Sequence, residues 1–168
     1  GTSVDDALLE KIAHFLHRVM QASWQAGDNR RGDVILALFY MVRSGQLDKS
    51  TTQKSIIGTI QDTGIQRAKL PELLAACLAS PQDDVIGYRL ALQGPVAVRF
   101  LVESLINTVN SDNRLRIIDL LTTNSSFLAP IIRERLPEHM PWYGKRNLLK
   151  LLGETGQEQD AESVLPYL

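Results

Sequence analysis

Apolar residues recur at three- and four-residue intervals along nearly the whole chain, which is the spacing of one face of an α-helix. In the first such segment they are Leu8, Ile12, Phe15, Leu16, Val19 and Met20. Ser3 and Asp6 form a capping-box pattern at its start, and Gly27 supplies a stop. Further helices are predicted at about 33–43, 50–63, 71–79, 83–93, 95–109, 112–123, 127–136, 142–154 and 160–168. No segment alternates apolar and polar residues as a strand does, so the sequence predicts an all-α fold.

The second predicted helix is apolar on every side. Residues 34–42 are nine consecutive apolar residues, too few to cross a bilayer. A helix that is apolar all round is usually buried. We therefore expect residues 33–43 to lie at the centre of an N-terminal bundle, wrapped by neighbouring helices.

A short passage in the C-terminal half occurs twice, 31 residues apart. Residues 115–121 (LRIIDLL) match residues 146–152 (RNLLKLL), and each passage is followed by a polar turn and a second apolar stretch. Self-similarity at this period is typical of stacked helical repeats. One repeat cannot bury its apolar face alone, so neighbouring repeats must cover it.

The repeat pattern defines the expected domain organisation. Residues 81–168 are predicted to form about three helical hairpins, at 83–109, 112–136 and 142–168. Residues 1–80 match no repeat and are expected to form an N-terminal portion of about four helices, continuous with the rest in one folded body. The side chains predicted to form a core between hairpins are Leu101, Leu105, Ile117, Ile118, Leu120, Leu121, Ile132, Leu136, Leu148, Leu149, Leu151 and Leu152.

The composition of the chain does not change the predicted fold, but it excludes several classes of function. The 168 residues are 44% apolar, enough for a core, and 18 basic residues balance 19 acidic ones to a net charge of −1. No overall field therefore draws the protein to nucleic acid or to an anionic membrane. The one cysteine, Cys77, lies in an apolar stretch, and Asp5 and Asp6 stand where a signal peptide has cations. These features predict a cytoplasmic protein without a disulfide.

Residues 142–156 (WYGKRNLLKLLGETG) combine early basic residues, a Leu pair and a glycine-bearing turn. This pattern resembles the HEAT-repeat family, in particular its short bacterial variety. Residues 112–136 and 83–106 are looser copies, with Gly87 and Arg89 at positions where the family prefers apolar residues. The resemblance covers roughly residues 83–168. It implies a right-handed α-solenoid that acts as a non-catalytic scaffold for a protein partner, without a cofactor.

Some relatives within that family have other functions. Each of these functions requires particular residues, and their presence can be checked in this sequence. Di-iron hydroxylases depend on repeated His-Glu pairs, and this chain contains no His-Glu dipeptide. DNA glycosylases of the HEAT-like type need a basic concave surface, so a nucleic-acid-binding module is the alternative function and a glycosylase-type enzyme is the third. Other relatives are bilin lyases, and the resemblance leaves a lyase-type activity open as well. Its cations would come from the basic cluster, which we define as Arg114, Arg116, Arg133, Arg135, Lys145, Arg146 and Lys150.

The basic cluster and its neighbouring aromatic residues each have two interpretations. The cations either pair with acids of an adjacent repeat or lie in water, or they contact phosphate or an acidic partner. Only four acids oppose them between residues 112 and 150. Trp142 and Tyr143 either pack between repeats or contact a partner. Nucleic acid binding is not the leading expectation, because the positive excess is small.

The family's geometry places the second helix of each hairpin on the concave side. By the 31-residue offset, Glu103 corresponds to Glu134 and Ser104 corresponds to Arg135. Arg99, Arg133 and Arg135 would then lie near one groove, alongside Glu103 and Glu134. A groove of mixed charge favours a protein partner over nucleic acid, whose uniform phosphates the glutamates would repel. These five residues, with Trp142 and Tyr143, are the predicted binding residues.

Two further features complete the expectations. His14 and His17 lie three residues apart, but His139 is distant in sequence, so no metal site is predicted because such a site needs three or four ligands. The chain also ends on the apolar side of its last predicted helix. If it is a fragment of a longer array, an uncovered edge would favour self-association through Val164, Leu165 and Leu168.

Overall fold

The computed structural model describes residues 3–123 and 125–167. Within these residues there are ten α-helices and no strand, with short 3₁₀ turns beside several helices. The all-α prediction is confirmed. The helices are α1 (Val4–Gln25), α2 (Asn29–Arg43), α3 (Thr51–Gly64), α4 (Leu70–Ala79), α5 (Asp84–Ala91), α6 (Pro95–Asn107), α7 (Ser111–Thr123), α8 (Leu128–Arg135), α9 (Trp142–Thr155) and α10 (Ala161–Val164).

The helix starts follow the local sequence signals. The Asp6 amide donates to Ser3 Oγ at 3.1 Å, and the Ser3 amide donates to the Asp6 carboxylate at 3.3 Å, so the predicted capping box begins α1. Ser50 and Gln53 form the same arrangement at the start of α3. Gly27 has a φ of 81°, a left-handed conformation that suits glycine and follows the end of α1.

Two helix bounds differ from the prediction. α2 begins at Asn29 instead of near residue 33, because the Asp28 carboxylate accepts a hydrogen bond from the Arg31 amide and caps an earlier turn. α10 covers only Ala161–Val164, between 3₁₀ turns at Glu158–Asp160 and Leu165–Tyr167. The last predicted helix is thus a series of short turns within the described residues.

The packing divides the chain into two compact units. The first comprises residues 1–67 with the turn Leu92–Gly94, and the second comprises residues 68–91 and 95–168. Helices α1 to α3 belong to the first unit, and α4 to α10 belong to the second. The sequence placed the change between portions at residue 80, whereas the packing places it near residue 67.

The first unit is a three-helix arrangement in which α1, α2 and α3 contact one another. Its buried side chains include Met20, Leu36 and Phe39. The prediction that α2 is wrapped on all sides is wrong, since Val34 is 63% exposed and Leu38 is 40% exposed. Two packing partners cover only part of the circumference of a helix, so one apolar side of α2 stays open.

A buried arginine joins α2 to α3 in the first unit. Arg43, whose side chain is 9% exposed, donates from Nη1 and Nη2 to the Asp62 carboxylate at 2.8 and 3.1 Å. Nη1 also donates to Gln61 Oε1 at 2.7 Å, and the Gln61 amide donates to the Leu92 carbonyl at 3.2 Å. The guanidinium is therefore both paired and hydrogen-bonded, as a buried charge requires.

The second unit contains the predicted leucine-rich core. Ten of the twelve predicted core side chains are buried, and Ile118 and Leu149 are half-buried. Leu101, Leu121 and Leu148 are fully excluded from solvent. The 31-residue pattern therefore selects interior positions correctly.

The pairing of consecutive helices differs from the predicted hairpins. α4 packs extensively on α5, α6 on α7, and α8 on α9, whereas α7 and α8 contact each other little among the described residues. α6 also packs on both α8 and α9. Gly144 on α9 permits the close approach of α9 to α6, because a Cβ at this position would lie 3.2 Å from Ile106 Cγ2.

No single helix in the described part of the chain is long and apolar enough to cross a membrane. Only α5 and α6 taken together reach that length and apolarity, and they are bent by 114° relative to each other.

Candidate functional site

Four of the predicted binding residues lie together in one cleft between α6 and α8. Arg99 Nη1 donates to Glu134 Oε2 at 2.6 Å, and Arg135 Nε donates to Glu103 Oε1 at 2.5 Å. The cleft has a volume of about 260 Å³, and its other lining residues are Val102, Ile131 and Glu138. We call it the mixed-charge cleft.

The charges of the mixed-charge cleft are paired with one another. The hydrogen bond to Glu134 raises the pKa of Arg99 against the opposing effect of burial, and the same bond lowers the pKa of the Glu134 carboxyl. The hydrogen bond to Glu103 likewise raises the pKa of Arg135, which also lies 3.2 Å from Glu138. The cleft therefore presents neutralised pairs, and it carries no strong field of one sign.

The fifth predicted groove residue, Arg133, lies elsewhere, so its placement in that groove is wrong. Its Nη1 donates to the carboxylate of Asp160, a residue that is 3% exposed and also accepts a hydrogen bond from the Gln157 amide at 2.7 Å. Arg133 and Arg135 are two residues apart on α8, which places them on opposite sides of a helix with 3.6 residues per turn. Arg133 thus supports the C-terminal turns.

Trp142 and Tyr143 form an aromatic cluster on the first turn of α9. Their rings meet edge to face with centroids 6.3 Å apart, and the Arg146 guanidinium lies 5.0 Å from the centre of the Trp142 ring. Trp142 is 71% exposed, whereas Tyr143 is half-buried. Packing between helices therefore does not account for Trp142. We call Trp142, Tyr143 and Arg146 the aromatic-basic cluster.

The other members of the basic cluster have partners within the chain. Arg114 donates to the carbonyls of Thr108 and Val109. Arg116 Nη2 donates to Asp84 at 3.2 Å, and Lys150 lies 3.7 Å from Glu154. The Lys145 ammonium lies 4.9 Å from the centre of the Tyr167 ring. Only Arg116 among these four cations pairs with an acid of another helix, and phosphate binding by the basic cluster stays a prediction.

A cleft of about 310 Å³ between α5 and α7 was not predicted from the sequence. Arg116 lies at its base, 18% exposed, with an Nε atom that has no hydrogen-bond partner. Gly87 makes room for this arrangement, because a Cβ there would lie 2.9 Å from Leu120 Cδ2, 3.2 Å from Arg116 Nη2 and 3.3 Å from Cys77 Sγ. The only sequence signal was the glycine at a position where the repeat pattern prefers an apolar residue.

Arg116 is charged within this cleft. Burial acts to lower its pKa, but hydrogen bonding and charge interactions with Cys77 and Asp84 together outweigh burial and raise the pKa above its ordinary value. Asp84 and Asp119 also line the cleft, so its acids outnumber its single arginine. This arrangement does not favour an anionic ligand.

His14 and His17 line a third cleft, of about 350 Å³, between α1 and α3 of the first unit. The His17 ring lies against Gly64, where a Cβ would be 2.2 Å from Nε2, and it stacks on Phe39 with a centroid distance of 6.4 Å. Burial lowers the pKa of His17, and the neighbouring His14 lowers it further. Among residues 3–123 and 125–167, no three His, Cys, Asp or Glu side chains are arranged to hold a metal ion.

The predicted apolar edge at the end of the chain is present in part. Leu165 is 66% exposed and Val164 is half-buried. Leu168 lies outside the described residues. These observations leave self-association at this edge as a prediction.

Comparisons with known proteins give no assignment. No family model, no curated protein and no solved structure matches the chain. The functional argument therefore depends on the residues of this chain alone.

Proposed function

We propose that the chain is a non-catalytic interaction module that binds a protein partner, in the manner of an α-solenoid scaffold. The exposure of Trp142 carries the proposal: its ring is 71% accessible on the first turn of α9, beside Tyr143 and Arg146. Trp, Tyr and Arg are the residues that most often dominate the binding energy of protein interfaces. Covering such a ring removes a large apolar area from water.

The second unit also supports the scaffold proposal through its packing. Its core consists of leucine and isoleucine side chains at repeated positions, and α6 lies beside α8 with ion pairs at offsets of 35 and 32 residues. Both ion pairs join the same two helices, so their offsets follow from one helix contact. The support comes from the buried leucine and isoleucine positions, which neighbouring repeats are expected to cover. The right-handed superhelix and the HEAT-like identity of these repeats belong to the proposal.

The contacts of the basic cluster favour a protein partner over nucleic acid. A cation that binds a phosphate must give up its existing partner, which reduces the net gain in free energy. Arg116, Arg133 and Arg135 are each engaged with a carboxylate of the same chain. Phosphate binding through these residues would therefore compete with the fold's own ion pairs.

The test is retention of partners by a tagged chain in a lysate of the source cells, with wild type compared to Trp142→Ala. We expect at least one protein to be retained by wild type and lost with the variant. Tyr88→Ala is the matched control, since Tyr88 is also an exposed aromatic residue, 48% accessible, on another helix. The purified partner should then bind Trp142→Ala about 30-fold more weakly, as loss of about 2 kcal/mol at a hot spot predicts. The proposal is contradicted if both variants lose the retained protein equally, or if neither variant loses it.

A second measurement tests the nucleic-acid alternative directly. Fluorescence anisotropy with a labelled DNA duplex at low and physiological salt should detect no tight binding. Tight binding that weakens steeply with salt and disappears in Lys145→Glu with Arg146→Glu would replace the scaffold proposal by the nucleic-acid one. Arg133→Glu with Arg135→Glu is a poorer test, because these changes would place like charges beside Asp160 and Glu103.

A further inference from the structure

The cleft between α1 and α3 of the first unit is lined by a row of polar side chains from each helix. We call it the α1–α3 cleft. Glu10, His14 and His17 lie at intervals of four and three residues, on one side of α1. Three hydroxyl side chains four residues apart line the cleft from α3: Ser55, Thr59 and Thr63. Because each row follows the spacing of one helix face, both helices present polar groups to the same space.

Apolar side chains complete the lining of the α1–α3 cleft. Ile56 and Ile60, one turn apart on α3, lie beside the hydroxyl row, and Ile60 is almost fully buried. The volume of about 350 Å³ is within the range of sites that hold a small molecule. Such sites combine apolar walls with a few convergent polar groups. The cleft therefore has the size and the composition of a small-molecule site.

The electrostatics of the α1–α3 cleft favour a positive ligand. Its described lining contains one carboxylate, that of Glu10, and no lysine or arginine. Thr63 and Gly64 belong to the last turn of α3, where backbone carbonyls carry a partial negative charge. Burial lowers the pKa of His17, and the neighbouring His14 lowers it further, so the His17 ring is uncharged at pH 8. A cation is therefore attracted to the cleft, and an anion is not.

The other charged side chains of the three helices do not line this cleft. Arg43 of α2 binds Asp62 of α3, so these two charges neutralise each other. The Lys54 ammonium lies beside Gly45, 3.6 Å from the position of a Cβ there. The lysine and the arginine of α1 also lie outside the lining: Lys11 and Arg18. None of these bases occupies the space that a ligand would fill.

We propose that the α1–α3 cleft binds a small organic cation, an alkylammonium whose charged end lies at Glu10 and whose apolar chain packs on Ile56 and Ile60. An ammonium group has three N–H donors, and carboxylate and hydroxyl oxygens of the cleft can accept them. Removal of the alkyl chain from water adds to the free energy of binding. The proposal does not depend on the partner site proposed at Trp142.

Nuclear magnetic resonance titration of the isotope-labelled full chain at pH 8 and low salt tests the proposal. The probes are pentylammonium, 1-pentanol and pentanoate, which are similar in length and differ in charge. Pentylammonium should shift the amide signals of the lining residues, with a dissociation constant on the order of 1 mM. 1-Pentanol should bind about fivefold more weakly, and pentanoate should give no saturable shift. Equal affinity for pentylammonium and either other probe, or shifts confined to residues outside α1 and α3, would overturn the proposal.

Two variants of the lining locate the ligand. Glu10→Gln should weaken pentylammonium binding by about fivefold, the upper end for an ion pair at a half-exposed carboxylate. Asp5→Asn is its control, because it removes an exposed carboxylate of α1 that does not line the cleft.

The second variant fills the cleft instead of changing its charge. Thr59→Leu places a larger side chain in the space and should weaken binding by more than about tenfold. Thr52→Leu makes the same change at an exposed position of α3 outside the lining and should bind as wild type does. Circular dichroism should show unchanged helix content in all four variants. Unchanged affinity in either lining variant, or the same loss in its control, would contradict the assigned site.

Discussion

In the first unit, large apolar side chains face solvent along α1 and α2, whereas in the second unit charged side chains pair across neighbouring helices. The first unit has its arginine-carboxylate pair between helices, Arg43 with Asp62, in a buried position. The second unit has such pairs at its surface, among them Arg99 with Glu134 and Arg135 with Glu103, and a partly buried one, Arg133 with Asp160. Both units bury a core, but their outer surfaces have different chemistry.

The difference indicates which surface gains more from a further contact. An exposed ion pair that already has its partner gains little when covered, since its charges must lose their water. An exposed apolar side chain gains free energy in proportion to the area removed from water. Exposed apolar side chains occur in both units, among them Phe15 in the first and Trp142 in the second, so such positions are where a further contact gains most.

The largest expected effect concerns the core of the second unit. Leu120→Ala should lower the free energy of unfolding by about 2–5 kcal/mol, because it removes buried methyl groups and leaves a cavity. Leu115, on the same helix, is 60% exposed, so Leu115→Ala should change stability by no more than about 0.5 kcal/mol. Urea denaturation measures both. Equal midpoints for the two variants would contradict the assignment of α7's buried side.

The next effect compares the charge pairs of the two units. Arg43→Met should cost about 1–3 kcal/mol, because Asp62 and Gln61 lose the donor between them in a largely buried site. Arg99→Met should cost about 0–1 kcal/mol, since Arg99 and Glu134 are both more than half exposed. Urea denaturation at low and high salt checks the ranking. An Arg99 variant as destabilised as the Arg43 variant would remove the distinction between the units.

Two glycine-to-alanine changes in the second unit are expected to alter stability in opposite directions. Gly87→Ala should destabilise by about 1–3 kcal/mol, since the new Cβ would lie 2.9 Å from Leu120 Cδ2 and overpack the interior. Gly153→Ala should stabilise by about 0.5–1 kcal/mol, because no atom lies within 4 Å of its Cβ and alanine is the better helix former. Thermal melts distinguish the two signs. A change in melting temperature of the same sign for both variants would contradict the close packing around Gly87.

The smallest effect is the pH dependence of the first unit. Burial lowers the pKa of His17 below 6.5, with His14 contributing, so the unfolded chain binds this proton more readily than the folded one. The associated stability is fully present above the unfolded pKa of 6.5 and is lost as pH falls through it toward the lower folded pKa. His17→Gln should flatten this part of the pH profile. Denaturation at a series of pH values measures the slopes.

Local signals in the sequence predicted much of the fold because they act over a few residues. Ser3 with Asp6 and Ser50 with Gln53 satisfy amides of their own helix, and the leucines of the 31-residue pattern mark buried positions whichever helix covers them. The choice of that covering helix was not predictable. It depends on contacts between distant residues, such as Gly144 against Ile106.

The candidate site was predictable to a similar extent. The offset between repeats brought Arg99, Glu103, Glu134 and Arg135 into one cleft. It failed for Arg133, because a partner outside the repeat alignment, the buried Asp160, determines where that side chain points. The exposure of apolar side chains such as Phe15 on α1 and Val34 on α2 could not be predicted either. Apolar spacing shows that a side is apolar and says nothing about what covers it.

The close packing at Gly87 also has a kinetic consequence. Cys77 is the only thiol of the chain, and it is completely excluded from solvent beneath α5 and α7. A thiol reagent can therefore reach it only when these helices separate. The rate of its chemical labelling in native buffer reports the free energy of that opening, without any engineered probe.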